Sequence, residues 1–271
     1  MTLKPLTREA VSNWIGALLL LSCLWPSSLT AQPQRTLVII IDDVGYKFEA
    51  GRQAIALPGK LNIAILPHTR NSEKLARMTL AAGKEVLLHA PMSNVLNKPL
   101  GPGGLTNAMT RQELRRTLAA SIESTPGVRG VSNHMGSLLT AQREPMEWVM
   151  QELSARGLYY IDSRTTMNSL GAQVAGEYGI PNLTRHVFLD NDTHPTAIHW
   201  QFKEALEMAD RHGMAIAIGH PYRSTLKYLA RQLPRLEKNG YQLALVSEVL
   251  EQQLQYSAGQ LPRVVSSAAS P

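Results

Sequence analysis

From residue 36 onward, short apolar runs alternate with longer segments whose apolar residues recur at helical spacing. The short runs occupy 37–41, 61–66, 85–88, 128–132, 158–161, 186–189, 214–218 and 242–246. Most are almost continuously apolar, as parallel strands covered on both faces are, and their lengths suit strands. Between them, Thr110 and Glu113 form a capping box ahead of Leu114, Leu118 and Ile122, which share one helical face. Thr196 opens another helix with a buried stripe of Ile198, Phe202, Leu206 and Ala209, and Asn71 precedes Leu75, Met78 and Ala82.

Eight such strands alternating with helices, with no Gly/Ser-rich or Pro-rich linker between them, predict a single α/β domain over 32–250. A β/α barrel fits better than a doubly wound sheet. The first strand-to-helix turn reads Asp42-Asp43-Val44-Gly45, where a dinucleotide fold needs G-x-G-x-x-G, so no nucleotide cofactor is expected. The stretch 93–107 holds three Gly and two Pro and is long for a connection, which predicts a functional surface loop. Residues 251–271 lose apolar periodicity and are expected to be a disordered tail.

The N-terminus has a different grammar. Lys4 and Arg8 precede an apolar run from Trp14 to Trp25, then Pro26 and small polar residues up to Ala31. That order predicts a signal peptide over 1–31, since the run is short of the roughly 20 residues a spanning helix needs. Cleavage after Ala31 would remove Cys23, the single cysteine, and deliver a thiol-free chain to the periplasm. Leu20-Leu21-Ser22-Cys23 offers the alternative of lipid attachment at Cys23.

Composition narrows the classes. With 44% apolar and 18% charged residues in 271, the chain is neither disordered nor disulfide-stapled. The 27 basic residues outnumber the 21 acidic ones, yet they form no basic block. Nucleic acid is therefore not an expected partner, while an anionic polymer or membrane surface remains open.

The chemistry lies where the strands stop. Ile41 runs into Asp42-Asp43, Leu66 into Pro67-His68, Leu88 into His89 and Ser132 into Asn133-His134. Ile161 runs into Asp162, Leu189 into Asp190, and Gly219 into His220. In a parallel barrel all these ends meet on one face. Turn capping accounts for Asp162 and Asp190, but histidine is a poor cap. Asp43, His89 and His134 would supply a carboxylate and two imidazoles, a donor set for a divalent metal, zinc by ligand type. His68 is the reserve ligand and Asp190 stands behind it. Nothing resembles a G-x-S-x-G elbow, and Ser137 reads as a turn residue.

Ile41-Asp42-Asp43-Val44-Gly45 resembles the first motif of polysaccharide deacetylases, T-F-D-D-G. The later order Leu88-His89-Ala90-Pro91-Met92, Asn133-His134-Met135-Gly136-Ser137, Asp162-Ser163-Arg164, Val187-Phe188-Leu189-Asp190-Asn191 and Ile218-Gly219-His220-Pro221 is similar to the divergent polysaccharide deacetylase family of bacterial exported proteins. The resemblance implies a distorted seven- or eight-stranded β/α barrel of the polysaccharide deacetylase type and a metal-dependent N-deacetylase. It implies Asp42 as general base, Asp43 as metal ligand and His220 as general acid, with Arg164 replacing the arginine that orients the base. Asn133, Asp162, His68 and Asp190 would stand around them in orienting roles. The parent motif H-x-x-x-H is not met, because Ser93 follows His89 by four residues, and His134 is taken as the substitute ligand. The implied substrate is an N-acetylated envelope polysaccharide or oligosaccharide. The alternatives are a weakly catalytic scaffold binding glycan or an envelope protein on the same barrel, or another metal hydrolase such as a peptide amidase.

Overall fold

The structure, a computed structural model, describes residues 35–260. The expected signal peptide, the Cys23 attachment site and the final residues of the expected tail lie outside that range.

The strands are β1 (Arg35–Val44), β2 (Asn62–Ile65), β3 (Glu85–Met92), β4 (Val128–Met135), β5 (Tyr159–Asp162), β6 (Asn182–Thr184), β7 (Val187–Phe188), β8 (Met214–Gly219) and β9 (Tyr241–Leu243). The helices are α1 (Phe48–Ile55), α2 (Ser72–Ala81), α3 (Arg111–Glu123), α4 (Arg143–Arg156), α5 (Gly171–Glu177), α6 (Pro195–His212), α7 (Arg223–Leu236) and α8 (Val246–Gln260). All strand pairs are parallel, and the order is β6-β5-β4-β3-β2-β1-β8-β7, with β9 alongside the start of β1. The sheet curls into a half-barrel that is open between its end strands β6 and β7.

Three expectations change. The run 186–189 keeps only Val187–Phe188 as strand, and a further short strand, β6, precedes it: β6 pairs with β5 and β7 with β8, so the two residues between them, Arg185 and His186, span the open seam. Arg185 donates from Nε to the Ser163 carbonyl at 2.7 Å, and the Ile216 N–H donates to His186 Nδ1 at 2.9 Å, so one residue is tied to the end of β5 and the other to β8. The run 242–246 forms a strand only to Leu243, and Val246 opens α8. That helix continues to Gln260, so 251–260 is helical rather than disordered.

Helix starts follow local chemistry. The capping box at Thr110 forms as expected, with Glu113 reaching back to the Thr110 N–H. Helix α6 starts one residue earlier than Thr196, with His194 as cap and Pro195 in the first turn. Asn71 does not cap α2; its amide crosses to the carbonyls of Gly45 and Tyr46.

Period-two alternation sorts the core. Leu37, Ile39 and Ile41 pack outward with α6 and α7, whereas Val38 and Ile40 join Leu87, Ile161, Ile216 and Ile218 inside the half-barrel. Helix α8 plugs the bottom of that interior through Val246, Val249 and Leu250. Its first N–H groups are met by buried strand side chains, Val246 by Asn62 and Ser247 by Glu85.

Candidate active site

The residues above the apolar interior are the next inward members of the same strands. Val38 and Ile40 are followed by Asp42, Leu87 by His89, Ser132 by His134, and Ile216 and Ile218 by His220. The strands also run further than expected: β1 reaches Val44, β3 Met92 and β4 Met135, so Asp42, Asp43, His89 and His134 are strand residues rather than turn residues.

Adjacent strand residues face opposite ways, which should send Asp43 outward when Asp42 faces in. A β-bulge prevents this. Ile41 pairs with Ile63 and Val44 with Ile65, so β1 spends one residue more than β2 over this step. Asp43 takes φ 59°, a left-handed conformation that costs a non-glycine residue energy and turns its carboxylate back to the site.

Asp43, His89 and His134 bring three ligand atoms together. Asp43 Oδ1 lies 2.8 Å from His134 Nδ1 and 3.2 Å from His89 Nε2, and the two nitrogens are 3.3 Å apart. Three donors bound tetrahedrally at zinc distances are about 3.3 Å apart. Asp43 Oδ1 is buried and has no aligned hydrogen bond despite these neighbours. The donor set thus fits a divalent cation. His89 Nδ1 sits 2.8 Å from Ser132 Oγ, an outer partner that turns Nε2 toward the shared point. Burial alone would raise Asp43, but His134 and His89 overcome it and hold the carboxyl well below the usual carboxylate range.

Asp42 is buried beside this triad, with Oδ2 3.5 Å from His89 Nε2 and Oδ1 without a hydrogen bond. Burial pushes its pKa up, against the pull of His89 and His220. Across the site, His220 directs Nε2 toward Asp43 Oδ2 at 3.9 Å, while its Nδ1 lies 2.8 Å from Asp190 Oδ1. Asp190 Oδ2 also accepts from the His220 N–H and from Thr225 Oγ1. Burial would lower the imidazole, but the Asp190 hydrogen bond, with the charges of Asp42, Asp190 and Asp43, raises it to about 9. The ring lies between Phe188 and Tyr222, with centroids 6.2 and 5.4 Å away.

The other expected site residues have separate work. Asn133 faces outward and ties β4 to β5: its Oδ1 accepts from the Ser163 N–H and Tyr160 OH. Asp162 also faces outward, where it accepts from the Arg164 and Ala172 N–H groups and Ser169 Oγ, so it organises the turn into α5. His68 lies apart from the triad, 3.3 Å from Ser121 Oγ on α3. Arg164 is not the arginine that orients Asp42: its side chain is exposed and has no hydrogen bond or ion pair among the described residues. Arg185, which the sequence reading passed over, is the guanidinium electrostatically coupled to Asp42 and Asp162. Burial, then Arg164, lower its pKa, and those two carboxylates oppose the shift. Its guanidinium stacks 3.8 Å from the Phe188 ring centre. Its position two residues before the Val187-Phe188 strand was the available signal.

A family model described as divergent polysaccharide deacetylase matches residues 39–250, which includes every residue of this site. The chain belongs to that family. It is 34% identical over 200 residues to the uncharacterized protein YibQ of Escherichia coli K12, covering 74% of this chain but only 63% of that one. An uncharacterized protein of Haemophilus influenzae is 32% identical over 234 residues, covering 86% and 82%. Among solved structures, the uncharacterized protein ATU2773 of Agrobacterium tumefaciens superposes with a TM-score of 0.76 at 20% identity, over 81% of this chain and 91% of that one. Peptidoglycan deacetylase PdaC of Bacillus subtilis gives 0.51 at 15% identity, over 87% and 100%. At these identities the likeness is one of fold.

Proposed function

We propose that this deacetylase-family chain is an exported, metal-dependent hydrolase that removes acetyl groups from an N-acetylated envelope glycan. The observation that carries this reading is the placement of a buried carboxylate, Asp42, and a carboxylate-backed imidazole, His220, around the donor set Asp43, His89 and His134. Zinc is the proposed ion, on ligand type. Export is proposed from the residue pattern of 1–31, and the glycan class from the family and from the substrate named for PdaC.

An amide carbonyl resists water at neutral pH, so its hydrolysis needs a base for the water and an acid for the amine. The ion would supply Lewis acidity toward the carbonyl oxygen and lower the pKa of water. Asp42 accepts a proton from the attacking water; its raised pKa makes it a stronger base than an ordinary carboxylate. His220 delivers the Nε2 proton to the departing nitrogen, so the products are acetate and a free amine. Asp190 holds the opposite ring nitrogen and keeps His220 protonated before the reaction. Phe188 and Tyr222 pack against that ring.

The test is acetate release from chitooligosaccharides and peptidoglycan fragments by metal-depleted protein before and after zinc is returned. Release only after zinc addition, lost in Asp42→Asn, is the expected result. No release from any N-acetylated glycan under either condition overturns the proposal.

A further inference from the structure

The loops around the site carry a second pattern that hydrolysis does not use. The β3–α3 loop closes on itself: the Leu105 N–H donates to the Pro91 carbonyl and the Ser93 N–H to the Leu105 carbonyl. Within it, buried Asn94 clamps a tight turn. Its Oδ1 accepts from the Lys98 N–H at 3.0 Å, its Nδ2 donates to the Lys98 carbonyl at 3.1 Å, and the Asn97 N–H donates to the Asn94 carbonyl. What this clamp holds out to solvent is apolar. Val95 is 66% exposed and Leu96 71%, and Met167, on the β5–α5 loop, is 79% exposed. The two loops are joined through the β4–α4 turn: the Val95 N–H donates to Ser137 Oγ, and Thr165 Oγ1 donates to the Met135 carbonyl. A folded chain gains nothing from an ordered turn that keeps two aliphatic side chains in water.

Unpaired basic residues gather on the same face. Lys47, Arg70, Lys98 and Arg164 are exposed on the loops after β1, β2, β3 and β5 and have no ion pair among the described residues. Some of the helix arginines are paired: Arg77, Arg115, Arg143, Arg156 and Arg211 each pair with glutamates. The exposed carboxylate on the strand-end loops is Asp192, on the loop between β7 and α6.

We propose that this rim docks peripherally on a membrane containing anionic phospholipid, with Val95, Leu96 and Met167 entering the boundary of the acyl region and Lys98 and Arg164 at headgroup level. Apolar tips flanked by unpaired basic residues are what such a surface rewards. A soluble sugar chain would find no ring to stack on in Val, Leu or Met, and a second copy of the same basic face would repel the first. No described helix is long and apolar enough to cross a bilayer. Docked this way, the mouth of the site opens at the headgroup layer.

The test uses the full chain with Cys23→Ser and Leu96→Cys, labelled at position 96 with an environment-sensitive fluorophore. Vesicles of phosphatidylcholine with an equal part of phosphatidylglycerol should blue-shift the emission, and phosphatidylcholine alone should not. Adding Lys98→Glu should weaken the response about fivefold, as should raised salt. No shift with the anionic vesicles, or an equal shift with the neutral ones, overturns the proposal. A blue shift that grows with protein concentration and needs no lipid also overturns it and assigns the patch to a second copy. The readout does not involve hydrolysis, so its failure leaves the proposed activity untouched.

Discussion

His134 Nδ1 lies 2.8 Å from Asp43 Oδ1 although the two residues come from strands that are not neighbours, with β2 and β3 between β1 and β4. Curling of the sheet across its interior, with the bulge at Asp43, makes that contact. It brings a β4 imidazole to the β1 carboxylate and the β3 imidazole. His134→Ala should therefore reduce bound zinc from stoichiometric to trace levels, measured by elemental analysis, with the circular dichroism spectrum unchanged.

Asp42→Asn keeps the shape of the side chain and leaves the triad intact, but the amide cannot accept a proton from water. Turnover should fall by roughly two to four orders of magnitude with zinc content unchanged. Loss of zinc in this variant would instead make Asp42 part of the ligand set.

Asp190 should control the alkaline side of the activity profile. His220 acts as an acid only while protonated, so activity declines as pH rises through its pKa, raised to about 9. Asp190→Asn removes the main cause of the rise, and the decline should move to lower pH. Stability obeys the same sign. The unfolded imidazole titrates near 6.5, so the protonated pair stabilises metal-free protein fully below that pH and is lost as pH climbs through about 9. The difference in melting temperature between wild type and Asp190→Asn should shrink over that window.

His220→Ala should cost far more on N-acetyl substrates than on activated aryl acetates, because an aryloxide leaves without a proton and an amine does not. Parallel kcat/KM measurements decide it. Equal losses on both would make His220 a packing residue between Phe188 and Tyr222.

At the opposite end of the barrel, Glu85 accepts from Tyr159 OH and from Ser247, which leaves no room for change. Glu85→Leu should destabilise by about 3 kcal/mol in urea unfolding, because it strands a buried phenol and an N–H at the start of α8. Zinc content should be unaffected, since Glu85 starts β3 four residues before His89 and faces the plug.

Much of this was legible along the chain. Continuous apolar runs alternating with amphipathic helices demanded a covered parallel sheet, because such runs cannot be solvated on either face. Alternation within the runs even carried the orientation of the site: Val38, Ile40 and Asp42 share one parity, as do Ile216, Ile218 and His220. By the same rule Asn133 and Asp162 face the helices, and that is why they hold turns together. Three things needed the tertiary structure. Asp43 faces the site only because β1 bulges there, and a bulge is set by pairing with β2, which the β1 sequence does not contain. Asp190 reads as a turn cap until β7 and β8 lie side by side and bring it to His220. Arg185 is unremarkable in sequence, and Arg164 looks the better candidate, until the open seam between β6 and β7 directs one guanidinium inward and leaves the other in solvent. Local pattern determines which face of a strand is buried; which buried groups meet depends on strand order and curl, and these are properties of the whole sheet.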